Sequence, residues 1–430
     1  MYYIPLNNLN GKIISNNKIY STKYFCLLFV LTFIFCLHFL IQKWPNKNIF
    51  INSQNFLNKT LLNTSNLIFE RKSLLEECIE NEENRNDSKW SLECCGEKMA
   101  YSFIVQTNEK LTENLMSGKR FDCKHLPLLH TYKLADKYKI QQKIPVKKPG
   151  DKDFTIVTAS NVKYFETLRK LLYIIKQQFG CSQKIIGYDL GGISENKTMM
   201  EDINSVCLLE WRKFDWNIIK EDIHSPRAYA WKIFILAEIY SQYDTFIYMD
   251  TSIVIDEAKS FDPTFEGIKD GKISEAIFFG AAVHSIQFGT NFRTYSYLPL
   301  VSQLVQWDNT MYEAGFNIMH KSEYTRKLLK WALLCAATKQ CIEPDYSYIN
   351  CTSDYSSTVG TCHRYDQSVF GIINVNGEYQ RSILSTGEEF LPHSHADHPR
   401  RKVKYSVQRY KELDKSLNFA KGVECCKQIN

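Results

Sequence analysis

The segment Thr245-Phe-Ile-Tyr-Met-Asp-Thr-Ser-Ile-Val-Ile255 constrains this chain more than any other, because it is apolar throughout except at Asp250, Thr251 and Ser252. A strand with one wet face alternates apolar and polar residues; a run apolar on both faces has to be covered on both sides, as in a parallel sheet clad in helices. The preceding hundred residues repeat that demand. Phe154–Ser160 (FTIVTAS) reads as a β-branched strand, and Val162, Phe165, Leu168, Leu172, Ile175 and Phe179 then recur at helical spacing up to Gly180. Lys184–Gly192 reads as a second strand, Glu195–Asn204 as a polar helix and Val206–Trp211 as a third strand. Ser225-Pro226 supplies a cap and first-turn proline for a helix running to about Tyr243. Strand and helix in alternation mean an α/β fold with a mostly parallel sheet and helices on both faces.

The segment before this body differs. Tyr24–Ile41 is eighteen residues without a formal charge, bracketed by Lys23 and Lys43, with Tyr24 and Trp44 at its ends. That length and flanking predict one transmembrane signal anchor rather than a cleaved signal, which would want a shorter apolar core and a small-residue cleavage site. Five Asn-x-Ser/Thr sequons, at Asn58, Asn63, Asn86, Asn196 and Asn350, all follow the anchor. Of 14 cysteines, Cys26 and Cys36 lie in the anchor, and the even remainder suits disulfides in an oxidising compartment. Cys335, Cys341, Cys351 and Cys362 lack the C-x2-C spacing of a zinc site and read as local disulfides. The expected organisation is a cytoplasmic tail (1–23), the anchor (24–41), a polar stem (42–90), a small Cys-containing subregion (91–150), the α/β body (151–400) and a C-terminal extension (401–430), in a single-pass type II membrane protein. The net charge of +6 includes four lysines before Trp44 that face no acid, so the body is nearly neutral. A nucleic-acid partner is excluded on that ground.

In an open parallel sheet, ligands bind beyond the carboxyl ends of the strands. Asp250 stands at such an end, where a carboxylate can hold a hard cation and the cation a diphosphate, or where it can merely cap a turn. The helix Ala230-Trp231-Lys232-Ile233-Phe234 to Tyr243, followed by Asp244–Asp250, resembles the approach to the Asp-x-Asp motif of GT-A-type nucleotide-sugar glycosyltransferases. The segment Phe154–Asp397 resembles that class, and Met249–Ser252 with Cys362–Ser368 (Cys-His-Arg-Tyr-Asp-Gln-Ser) resembles motifs of an invertebrate family of type II membrane proteins within it.

The resemblance implies a GT-A-like fold and transfer of a sugar, of hexosyl type, from a nucleotide-sugar to a glycan or glycoprotein acceptor in the Golgi. It implies metal ligation by Asp250 and Ser252, with a C-terminal histidine (His393, His395 or His398, beside Asp397) completing a Mn2+ or Mg2+ site. Ser252 stands where the motif has its second carboxylate, so a cation would be held less tightly. Asp366 and Gln367 are implied to position the donor sugar or to act in catalysis, and Glu313, leading an apolar stretch with Gly315, is, like Asp366, a candidate base for the acceptor. Arg227, Lys232, Arg364 and Thr251 are candidates for the diphosphate. Tyr295 and Tyr297 could stack on sugars. The alternative is an inactive, membrane-anchored binding module for carbohydrate or protein, to which Ser252 points.

Overall fold

Phe154–Ser160 is buried at every position and forms strand β1 of a six-stranded sheet. In chain order the other strands are β2 (Ile185–Asp189), β3 (Leu209–Lys213), β4 (Thr245–Met249), β6 (Ala276–Phe278) and β7 (Phe316–His320); β5 (Ile253–Glu257) leaves the sheet and pairs antiparallel with β8 (Lys404–Val407). The sheet order is β6-β7-β4-β1-β2-β3, with β4, β1, β2 and β3 mutually parallel and β7 antiparallel to both neighbours. The computed structural model describes residues 76–80, 92–107, 112–219, 221–223, 225–351, 362–384, 389–408 and 419–428. The expected anchor at 24–41, most of the stem and the sequons at Asn58, Asn63 and Asn86 lie outside these. No helix among the described residues is long and apolar enough to cross a membrane. Residues Cys78–Asn430 form one compact unit.

Alternation along β4 divides its side chains between two layers. Ile247 and Met249 join a core with helices α1 (Phe165–Phe179) and α4 (Asp262–Lys269), in which the rings of Phe279 and Phe316 stack at 4.1 Å. Phe246 and Tyr248 face the other layer, where α3 (Ala230–Gln242) packs on α5 (Glu323–Ala336) and α6 (Asp366–Leu384). Helix α3 is apolar nearly all round and buried at ten of its positions, as a helix between a sheet and two further helices must be. Fully burying each large apolar side chain contributes about 1.5–3 kcal/mol, so this central layer dominates the stability of the fold. A smaller helix, α2 (Lys197–Asn204), bridges β2 and β3; the Asn196 side chain caps it by accepting from Met199 N, and Asn196 itself is exposed.

The mostly parallel α/β sheet agrees with the pattern read from the sequence, and, besides the run Thr245–Ile255, three elements depart from it. The expected strand at Val206–Trp211 begins only at Leu209, because Cys207 is bound into a disulfide and Leu208 turns with φ +51°. Ser225-Pro226 caps a single 3-10 turn, Pro226–Ala228, and the helix starts after Tyr229. The helix expected at Asp366–Ile373 continues to Leu384. All twelve cysteines beyond the anchor segment pair: Cys78–Cys95, Cys94–Cys123, Cys181–Cys425, Cys207–Cys426, Cys335–Cys341 and Cys351–Cys362. The last two are the local bridges expected in the 335–362 cluster. The pairs to Cys425 and Cys426 tie the C-terminal residues onto α1, where Gln177 donates to Gly422 O.

Candidate active site

The apolar run Thr245–Ile255 is two strands, not one. Asp250 ends β4, its N–H donating to Gly315 O at 2.7 Å, and the turn closes with Ile253 N donating to Asp250 O at 3.0 Å. A Cβ on Gly315 would lie 2.4 Å from Asp250 Oδ2, so the neighbouring strand can pass this carboxylate only with a glycine there. Tyr248, two residues earlier and on the same side of the strand, donates its hydroxyl to Asp250 Oδ1 at 2.8 Å.

Lys232 is the centre of the arrangement. Its side chain is 3% exposed, and its Nζ lies 3.3 Å from both Asp250 oxygens and 3.1 Å from Asp366 Oδ2. The rings of Tyr229 and Tyr248 each lie 5.4 Å from the ammonium. Burial works against the charge on Lys232, yet Asp250 and Asp366 more than compensate and hold its pKa above the usual lysine range. Asp366 opens helix α6 with its side chain only 6% exposed; burial raises its pKa, Lys232 opposes that, and Asp250 adds to it. Asp250, at 36% side-chain exposure, is the member that faces solvent. The result is a fixed ammonium between one buried and one open carboxylate, at the carboxyl edge of the sheet.

Two strained residues hold this geometry. Tyr229 (φ +52°) and Tyr365 (φ +51°) occupy the left-handed region, each immediately before a helix, and their rings lie 6.3 Å apart. A bulky residue there costs on the order of 1–3 kcal/mol, and such strain concentrates at functional sites. Each bend sets the entry of a helix that delivers one charged group, Lys232 from α3 and Asp366 from α6.

The other candidates divide. Gln367 is buried; its Oε1 accepts from Arg364 Nε at 3.3 Å and its Nε2 has no hydrogen-bond partner among the described residues. Arg364 is half-buried and also donates to Ile349 O. Arg227 is exposed on the turn before Tyr229. The hydroxyls of Thr251 and Thr167 lie 2.8 Å apart, and Ser252 accepts from Gln408 N through its backbone carbonyl. Thr251 and Ser252 share the turn with Asp250, and Gln367 follows Asp366; among the described residues no hydrogen bond or ion pair joins Arg227 or Arg364 to the triad.

Glu313 and the histidines do not join it. Glu313 packs beside Gly280, where an added Cβ would lie 2.9 Å from its Oε2. His393 is fully buried with both ring nitrogens engaged: Nε2 accepts from Phe278 N at 2.9 Å, and Nδ1 meets the buried Glu378 carboxylate. It has no lone pair left for a cation. His395 is exposed and accepts from Asp397 N, while His398 Nδ1 caps a turn by accepting from Arg400 N. Burial and the neighbouring His393 drive the His398 pKa down to about 2. The physical reason is register: the C-terminal segment reaches the Asp250 turn only at Val407, paired with Ile253, and Gln408, well past the histidines. Among the described residues, the one place where three His, Cys, Asp or Glu donor atoms converge is Cys181, Cys207 and Cys426, all in disulfides. Tyr295 and Tyr297 serve packing, the first donating to Ile286 O and the second stacking on Phe121.

Tyr248, Tyr229 and Tyr365 were not singled out in the sequence. The i, i+2 relation to Asp250 could have found Tyr248; nothing in the sequence marks a left-handed tyrosine.

Residues 93–237 match a family model described as a protein of unknown function (DUF1647). No curated protein matches the chain. Among solved structures, the chain is similar to the S. cerevisiae mannosyltransferase Ktr4p in complex with GDP, at 7% identity over 68% of this chain and 86% of that one, with a TM-score of 0.35. It is similar to mouse xyloside xylosyltransferase 1 at 10% identity over 61% of this chain and 100% of that one, TM-score 0.33. It is similar to the galactosyltransferase LgtC with donor and acceptor sugar analogues at 11% identity over 64% of this chain and 95% of that one, TM-score 0.34.

Proposed function

We propose that this protein binds a nucleotide-diphosphate sugar at the carboxyl edge of the sheet and transfers its sugar to a hydroxyl of a glycan or glycoprotein. The observation that carries the reading is the Lys232–Asp250–Asp366 triad, one open carboxylate and one buried carboxylate held by a buried ammonium. Asp250 presents an anionic edge to solvent, with Ser252 beside it in the same turn. That donor set fits a Mg2+- or Mn2+-type ion held by one carboxylate and completed by water and ligand phosphate oxygens, and such an ion would neutralise diphosphate charge. Arg227 and Arg364 add positive charge at the rim. Gln367, which follows the triad's Asp366, places beside it an amide N–H without a partner among the described residues, where sugar hydroxyls can be bound and oriented. In the transfer, the bond from the anomeric carbon to the acceptor oxygen forms as the bond to the diphosphate breaks, and the acceptor proton leaves to a base. Stabilising the departing diphosphate is the largest contribution the site can make.

Ser252 favours a second reading, a binding module in which one carboxylate holds a ligand without turnover. Placement of the body on the lumenal side of a Golgi membrane, behind the anchor at 24–41 and with N-glycans on the sequons, belongs to the same proposal.

The test is thermal unfolding of the full-length chain with Mn2+ and a panel of nucleoside diphosphates. A ligand bound only by the native state adds about 2.7 kcal/mol of apparent stability at a hundredfold excess over Kd. A shift that needs both metal and nucleotide, and that Asp250→Asn abolishes, is the expected result. No shift with any nucleotide rejects the donor site, and a shift without turnover of the matching nucleotide-sugar selects the binding module.

A further inference from the structure

A cavity of about 750 Å3 lies apart from the triad, and none of Lys232, Asp250 or Asp366 lines it. Its walls come from the start of the strand Ala100–Thr107, from α5 between Glu323 and Trp331 and from α6 between Ile373 and Arg381, with Lys98, Asp136, Lys139 and Glu275 contributed by neighbouring segments. Helix α5 follows directly on β7, whose last residue, His320, pairs with Thr245 at the start of β4. Asp250 follows the other end of that five-residue strand, roughly 17 Å away. The cavity therefore opens near the amino edge of the sheet, and the reading of the triad leaves it unexplained.

Its charge is unbalanced. Six cationic side chains line it against three carboxylates. The two deepest cations are satisfied: Arg326 is bound by Glu323 and Asp136, and Lys330 by Glu97 and Asp136. At the mouth the pairing fails. Lys98 and Lys139 have no carboxylate within ion-pairing distance among the described residues, and the exposed Lys327 approaches only Glu323, at 3.7 Å. Lys98 donates to Ser102 Oγ, and burial, followed by the charges of Lys330 and Lys327, lowers its pKa against the opposing charges of Asp136 and Glu93. A lysine crowded by other cations in a concave, partly desolvated place is stabilised by an anion brought to it. The aromatic and hydroxyl-bearing walls, Tyr101, Tyr324 and Trp331, suit a polar ring more than an alkyl chain.

We propose that this cavity is a second binding site, for a sugar-sized ligand carrying an oxyanion (phosphate, sulfate or carboxylate) that Lys98 and Lys139 receive. The site is independent of the triad and stands whether or not the transferase reading does.

The experiment is isothermal titration of the full-length chain with glucose 6-phosphate and with glucuronate, each repeated against inorganic sulfate as competitor. Binding of either sugar, displaced by sulfate, is the expected result, and which of the two binds tells phosphate from carboxylate. Lys98→Met and Lys139→Met should each weaken binding about tenfold, the scale of one charge-assisted hydrogen bond. Asp250→Asn should leave it unchanged. Lys139 is exposed, so its variant folds whether or not Lys98→Met does, and Lys139→Glu should weaken binding further than Lys139→Met. Absence of binding by both sugars, or equal affinity in the lysine variants and the parent, overturns the proposal.

Discussion

Replacing Lys232 with methionine removes the ammonium and keeps the volume, leaving Asp366 buried without its counter-charge. At an effective dielectric of about 20, each contact, at 3.1 and 3.3 Å, corresponds to an attraction of about 5 kcal/mol before desolvation is counted. The Asp250 contact is worth less than that, because a third of the Asp250 side chain meets solvent. Desolvation of the ammonium offsets much of the remainder, so the net loss on deleting one partner of a buried pair, about 3–5 kcal/mol, is the expected destabilisation at neutral pH. Its pH dependence has a definite sign. Burial already raises the pKa of Asp366, and Lys232 is what restrains it. Without Lys232 the folded-state pKa rises further above the unfolded value. For an acid shifted upward, the folded state is favoured while the group is protonated and loses that advantage as pH rises through the ordinary carboxylate range. The variant should therefore lie closest to the parent near pH 4 and fall progressively behind it as pH rises through the raised pKa of Asp366. Urea unfolding of both proteins at pH 4, 5.5 and 7.5 measures this, and adding Asp366→Asn should recover most of the loss at pH 7.5. A Lys232→Met protein as stable as the parent at pH 7.5, or a double variant no better than the single one, refutes the electrostatic account of the triad.

Two further outcomes follow from local geometry. Gly315→Ala puts a methyl 2.4 Å from Asp250 Oδ2, so either the carboxylate or the strand must move; nucleotide affinity should fall at least tenfold, lowering the nucleotide-dependent stabilisation by about 1.4 kcal/mol, while urea unfolding shows a loss on the order of 1–3 kcal/mol. His393→Ala strips the Glu378 carboxylate of a partner in a fully buried place, and about 3–5 kcal/mol of stability should go with it. Glu378→Gln in the same chain should restore part of it, and any metal-dependent nucleotide shift in the surviving protein should be unaltered; loss of that shift alone would instead make His393 a ligand.

The sequence made the sheet legible because burial on both faces leaves a plain mark: Phe154–Ser160 and Thr245–Met249 carry no polar face to misplace. Asp250 was legible for the same reason, as a charge ending an apolar run. What remained illegible was set by tertiary contact. Val206-Cys207-Leu208 has strand-like composition but is held in a turn by the bridge to Cys426, more than two hundred residues away. The histidines at 393, 395 and 398 are a dense group of potential ligands in sequence, yet the side chain of His393 is spent on Glu378, which lies on a different element. Density along the chain carries no information about which elements a loop passes, and here β8 brings Val407, not a histidine, to the turn after Asp250.

Lys232 shows the converse, a residue whose sequence context understated it. On a helix as apolar as Ala230–Gln242, a lysine reads as a solvated side chain at the helix start, yet it is buried and surrounded by the rings of Tyr229, Trp231 and Tyr248. Burying an ammonium costs several kcal/mol unless fixed anions answer it. Asp366 answers from a distant part of the chain, and it does so only because Tyr365 accepts a left-handed backbone to start α6 at that point. Tyr229 takes the same conformation to start α3. Neither strain contributes to packing that an ordinary turn could not provide, since a glycine or asparagine would adopt either bend at lower cost. Two strained tyrosines, in contact and each opening the helix that carries one member of the Lys232–Asp366 pair, hold the buried lysine against the single open carboxylate at the sheet edge.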